Sequence, residues 1–126
     1  MKKRRKEIGD LSPSDLLIGI CLYLPFQTMV TEDRLRRFLQ QEQSRFSVLS
    51  IFFRTHQSDR KYADVLSATL ASLNGGVLLM REGGIGYSIR QTSREDFREL
   101  LVAEGALPQH EHFFRGLADR FVRLPL

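Results

Sequence analysis

Between Ser58 and Arg90, helical spacing runs straight into two short strand-like segments, with little but glycine between them. From Ser58 to Leu73, the residues Tyr62, Leu66, Thr69 or Leu70, and Leu73 fall on one face, and Asn74 with Gly75 offers a helix stop. Val77 to Arg81 and Gly86 to Arg90 then bracket Gly83 and Gly84, whose freedom at positive φ suits a tight reversal. A helix that feeds directly into a β-hairpin leaves few architectures open. Strands this short need helices packed beneath them. The expected class is therefore α+β, mostly α.

The remaining chain supplies those helices. Ser12 is a good N-cap, Pro13 suits the first helical position and Asp15 sits in the first turn, so a helix is expected from there to about Leu24, ended by Pro25. Its body is apolar nearly all round, which places it at the centre of a core. Gln27 to Val30 is short enough to pair as a single strand. Thr31 caps a second helix, Glu32 to Gln41, whose narrow stripe is Leu35, Phe38 and Leu39. Arg45 to His56 is apolar without clean alternation and reads as a short buried helix, with a buried strand as the alternative. Thr92 with Glu95 fits a capping box ahead of a helix from Phe97 to Glu104, which Gly105 ends. A last helix, Glu111 to Val122, carries Phe113, Leu117 and Phe121 at a spacing of four, with Phe114 and Val122 beside them.

The chain has 126 residues, enough to bury a core without staples. Its single cysteine, Cys21, lies within the first apolar helix, so no intrachain disulfide can form, and a reducing, cytoplasmic setting is expected. The basic start followed by an apolar run resembles a secretory leader. Glu7, Asp10 and Asp15 interrupt it, however, no small-x-small cleavage site follows Phe26, and the run is too short to span a bilayer. The net charge is +4, but five of the 19 Lys and Arg residues occupy positions 2 to 6, leaving 14 to face 15 Asp and Glu. The body is thus close to neutral. Residues 1–11 are expected to form a basic, disordered arm, either a phosphate-touching arm or a solubilising tail.

Helix, short strand, helix, further helix and hairpin, from Ser14 to Arg90, resembles the winged helix-turn-helix family. The matching residues include the apolar first helix, Thr31, Leu66, Leu70 and Leu73 before Asn74 and Gly75, and Tyr87 to Thr92 leaving the hairpin. The resemblance implies a winged-helix domain over 12–92, a helical core with a two-stranded wing. Residues 93–126 then form a C-terminal extension of two helices. The stretch 42–57 is longer than the family's usual turn and reads as an inserted element. In this family the third helix usually enters the DNA major groove and the wing touches the backbone.

That implication yields candidate DNA contacts at Lys2, Lys3, Arg4, Arg5, Lys6, Arg34, Arg37, Arg60, Lys61, Arg81 and Arg90. Base reading needs Arg, Lys, Asn or Gln on the third helix. After Arg60 and Lys61, its outward face instead carries Asp64, Ser67, Ala68, Ala71 and Ser72. The expected DNA association is therefore nonspecific or weakly specific, as a small regulator or as the DNA-touching subunit of a complex. The alternative is a protein-interaction adaptor, resembling small winged-helix subunits that bridge SMC-type and ABC-type ATPases, some of them in defence complexes. Its interface would include Phe113, Phe114, Leu117 and Phe121, unless that stripe folds back onto the domain or mediates a homodimer.

No catalytic residue, metal or cofactor is expected. His110 and His112 diverge at a helix start, Gly83 to Gly86 lies between two strands and lacks dinucleotide spacing, and Glu95 with Asp96 serves a helix dipole. No HExxH, CxxC, P-loop or GxSxG motif occurs.

Overall fold

The computed structural model describes residues 5–25, 28–54, 64–74, 78–80, 86–89 and 94–124. They form a small, mostly helical domain. Its helices are α1 (Pro13–Leu22), α2 (Glu32–Glu42), α3 (Val65–Leu73), α4 (Arg94–Ala103) and α5 (Glu111–Arg123). Single-turn 3₁₀ geometry covers Ile8–Asp10, and a longer 3₁₀ segment covers Ser47–Phe53. The strands β1 (Met29–Val30), β2 (Leu78–Met80) and β3 (Tyr87–Ile89) are ordered β1-β3-β2, both pairings antiparallel. Val30 faces Tyr87 across the first pairing, and Met80 faces Tyr87 across the second.

The α1 helix forms where its caps dictate. Ser12 Oγ accepts from Asp15 N at 3.0 Å, and Asp15 Oδ2 accepts from Ser12 N at 3.2 Å, a reciprocal capping box. The helix ends two residues sooner than its apolar pattern suggests. Tyr23 N and Leu24 N turn to the carbonyls of Ile20 and Cys21, tightening the last turn ahead of Pro25. Leu16 through Leu22 are all buried, so α1 has no polar face, and it packs against α3, α4 and α5.

Gly19 sets how closely α5 can approach. A Cβ there would overlap the Phe114 ring. Phe114, Leu117 and Phe121 are fully buried in that seam, and Phe121 meets Phe38 of α2 edge-on with centroids 5.4 Å apart. The α5 stripe thus folds back onto the domain.

One expectation changes and two are sharpened. Helix α3 begins at Val65, not Ser58: Asp64 is extended (φ −149°, ψ 177°) and its carboxylate accepts from Ser67 N at 3.0 Å, so it caps the helix where the longer reading would run through it. The earlier part of that expected helix, with Arg60, Lys61 and Tyr62, lies outside the described residues. The segment 47–53 is helical, as preferred over a strand, but in 3₁₀ geometry, with Leu49 and Phe52 inward. Gly86, expected to open the returning strand, is buried beside β1: a Cβ would lie 2.9 Å from Met29 Sδ and 3.1 Å from Val30 O, so close strand approach requires it.

Helix α4 ends as its glycine implies. Gly105 adopts φ 84°, Ala106 N reaches back to Leu101 O at 2.8 Å and Gly105 N to Val102 O at 3.1 Å, the paired bonds of a Schellman stop. The expected Thr92 cap lies outside the described residues.

Candidate functional site

Of the eleven cations expected to contact DNA, Arg5, Lys6, Arg34 and Arg37 lie within the described residues; Lys2, Lys3, Arg4, Arg60, Lys61, Arg81 and Arg90 do not. The four divide sharply. Arg5 and Arg37 are exposed. Lys6 is tied down: its Nζ pairs with Asp15 at 2.9 Å and with Glu104 at 3.7 Å, and its backbone N donates to Gly105 O at 2.8 Å. Its carbonyl oxygen accepts from Gln109 Nε2 at 3.2 Å and lies 2.6 Å from His110 Nε2. Together with the 3₁₀ turn at Ile8–Asp10 and buried Leu11, these bonds correct the expectation of a free arm over 1–11: from Lys6 onward the segment is a strap across the α4–α5 turn. That expectation rested on like-charge repulsion within the run and on its having nothing apolar with which to dock. Asp15 and the open carbonyl of the α4 stop supply the missing attraction.

Arg34 also serves the fold. Its Nη2 donates to Phe121 O at 3.1 Å and Leu124 O at 3.0 Å, and its guanidinium lies 4.7 Å from the Phe121 ring centroid. It closes the carbonyl end of α5, where positive charge is favoured. Phe114, Leu117 and Phe121 of the expected partner interface are likewise buried in the domain and present no surface. Phe113 is partly buried, edge-on to Phe46 at 5.0 Å. Aromatic spacing looks the same whether a helix docks within its own domain or on another, so sequence left both open.

Two polar assemblies were missed. The first lies where α2 meets the start of α3. Arg36 pairs with Asp64 and, at 3.1 Å, with Glu32, while Ser67 Oγ donates to Glu32 Oε2 at 3.2 Å. Burial pushes the Asp64 carboxyl up. The Arg36 hydrogen bond, the Ser67 backbone bond and the Arg36 charge outweigh that and hold it below the ordinary carboxylate value. Asp64 placed immediately before an apolar run at helical spacing was the available signal. Alongside and past this assembly, α3 carries half-buried Ser67, Ala68 and Ala71 and exposed Ser72, all short.

The second assembly surrounds Tyr23, just past α1. The Arg98 and Arg115 guanidinium carbons stand 5.4 and 4.6 Å from its ring centroid. Tyr23 Oη donates to Glu111 Oε1 at 3.2 Å, and the same carboxylate takes Arg98 at 3.4 Å and Arg115 at 3.5 Å. Burial raises the Tyr23 hydroxyl above its ordinary value, with Glu111 adding to the rise and Arg98 opposing it. Beside the ring, Tyr23, Pro25, Arg115, Ala118, Asp119 and Val122 line an open cleft of about 330 Å³. These residues come from two parts of the chain, about ninety residues apart, and no local spacing announces them.

Cys21 is buried, and burial pushes its thiol up to about 12 against the opposing pull of Arg94. A thiol so placed is not a nucleophile at neutral pH. His110 turns to the Lys6 carbonyl, and His112 is exposed. Among the described residues no cluster of His, Cys, Asp and Glu is arranged to hold a metal, and no helix is long and apolar enough to cross a membrane. No protein-family model matches the chain, and neither a curated protein nor a solved structure does.

Proposed function

We propose that the chain is a non-enzymatic winged-helix module that works as an adaptor, holding a protein partner against the outward side of α3. The winged-helix reading is supported by the order of elements. Helix α3 is followed by β2 and β3 paired antiparallel, and β1, placed between α1 and α2, joins β3 on its other side. The observation that carries the adaptor reading is the surface of α3. Capped at Asp64, it begins too late to include Arg60 or Lys61 and presents Ser67, Ala68, Ala71 and Ser72, with Asp64 and Ser67 held by Arg36 and Glu32. Small side chains let another helix approach closely but reach no base edge.

A second reading, nonspecific DNA association, is favoured by exposed Arg37 and by exposed Arg5 next to the basic residues 2 to 4. One pair of measurements separates the two. A photo-crosslinking residue at Ala68 or Ala71 is expected to capture one defined protein in the native cell, and Ala71→Arg to abolish that capture. Binding to a random DNA duplex, followed by fluorescence anisotropy over a salt series, is expected to disappear once residues 2 to 5 are neutralised. Salt-dependent duplex binding by the unaltered chain, with no protein captured at α3, would replace the adaptor by the DNA-associating reading.

A further inference from the structure

The two large apolar side chains that stand exposed among the described residues are Leu100, 42% exposed on α4, and Val122, 43% exposed on α5. Each belongs to a helical stripe at i, i+3, i+4, i+7. On α4 the stripe is Asp96, Glu99, Leu100 and Ala103, all exposed. On α5 it is Arg115, Ala118, Asp119 and Val122, which forms one wall of the Tyr23 cleft. Such stripes are the units by which helices dock in one another's grooves.

The stripes differ in charge. Asp96 and Glu99 flank Leu100, and neither they nor Glu95 make an ion pair among the described residues. The cleft lining carries Arg115 and Asp119, with Arg98 against the same Tyr23 ring and Arg123 next after Val122; these guanidinium groups pair with Glu111 and Asp119. Arg115 and Arg123 keep 59% and 77% of their side-chain surface open, leaving donors for a further carboxylate. The stripes also differ in direction. Arg98 of α4 turns toward Tyr23, and Leu100, two residues on, lies roughly 200° further round the helix. A chain cannot place its own Leu100 in its own cleft.

We propose that the chain associates with itself head to tail, the acid-flanked Leu100 of one copy seating in the Tyr23–Val122 cleft of the next, with Glu99 or Asp96 meeting Arg115. The contact joins two different patches, so it is heterologous, and copies add until a ring closes or an end is capped. It does not depend on the adaptor reading: it uses α4 and α5, and it is measured on the purified chain alone.

The test is sedimentation velocity of the full chain over a concentration series, with Leu100→Asp and Val122→Asp, each checked for helix content by circular dichroism. Both positions are exposed, so both variants are expected to fold. The unaltered chain is expected to sediment faster as concentration rises, and each variant to lose at least about tenfold in self-affinity. Mixing the variants is the decisive arm. One keeps an intact cleft and the other an intact Leu100 stripe, so the mixture is expected to form a two-chain complex and stop there. A chain that stays monomeric at every concentration, variants that associate as well as the parent, or a mixture that restores nothing would each overturn the proposal.

Discussion

The α1–α5 seam and the α2–α3 junction hold neighbouring parts of one small domain by opposite means. At the seam, shape decides: Gly19 yields the space that the Phe114 ring fills, and Leu117 and Phe121 continue the contact without a polar atom. At the junction, charge decides: Arg36 gathers Asp64 and Glu32 at the start of α3. The seam is indifferent to ionic strength and intolerant of volume change. The junction tolerates volume change and responds to salt and acid. The α3 surface proposed to meet a partner begins at the adaptable junction, while the strap and α5 belong to the rigid side.

The largest way to break this contrast is at the seam. Phe121→Ala removes a fully buried ring that packs on Phe38 and under Arg34, and is expected to cost about 3–5 kcal/mol in a urea titration. Against a total near 5–15 kcal/mol for a domain this size, that brings the chain close to unfolding. A loss under about 1 kcal/mol would mean that α5 is not integral to the core.

Gly19→Ala comes next and tests the sign. Within a helix, Gly to Ala ordinarily stabilises by roughly 1 kcal/mol. Here the new methyl meets Phe114, and overpacking of about 1–3 kcal/mol is expected to turn that gain into a loss. Adding Phe114→Leu should recover part of it, whereas Phe114→Leu alone destabilises.

At the junction, Asp64→Ala is expected to cost about 1–2 kcal/mol, removing both the α3 cap and the partner of Arg36. Asp64→Asn keeps the capping oxygen and loses only the charge, so its cost of up to about 1 kcal/mol should shrink in high salt. Equal costs at all salt concentrations would make the junction another matter of packing.

The smallest effect sharpens the comparison through pH. Asp64 is held below its ordinary value, near about 3.9. Its contribution is complete above that value and is lost as pH falls through the lower native one, so the junction weakens in acid. Cys21 is raised to about 12. The unfolded thiol ionises first, from about pH 8.5, so the native state there holds the extra proton and stability falls as pH rises. Chemical denaturation across pH should therefore show an acid limb flattened by Asp64→Asn and an alkaline limb flattened by Cys21→Ala.

Much of the frame could be read in the residues. Ser12, Pro13 and Asp15 announced α1, Thr31 announced α2, and Gly105 announced the end of α4, because caps and stops are local chemistry. What stayed hidden was set by distant partners. Lys6 and Arg34 looked like phosphate contacts because a basic side chain carries no sign of its partners: Asp15 and distant Glu104 for Lys6, and for Arg34 carbonyls about ninety residues away. The start of α3 was misplaced because Ser58 and Asp64 are both acceptable caps, and only the extended backbone at Asp64 selects between them. The Tyr23 cleft draws on the residues just past α1 and on α5, about ninety residues later, so no window of sequence contains it.

The apolar girth of α1 also matters before the fold exists. Its cover on one side is α5, which leaves the ribosome roughly 90 residues and about 5–20 s later at ordinary elongation rates. Through that interval the nascent chain carries a helix with no polar face and an open groove at Gly19. Synthesis thus sets a waiting time during which α1 must be sheltered, and a slow codon stretch ahead of α5 would lengthen it.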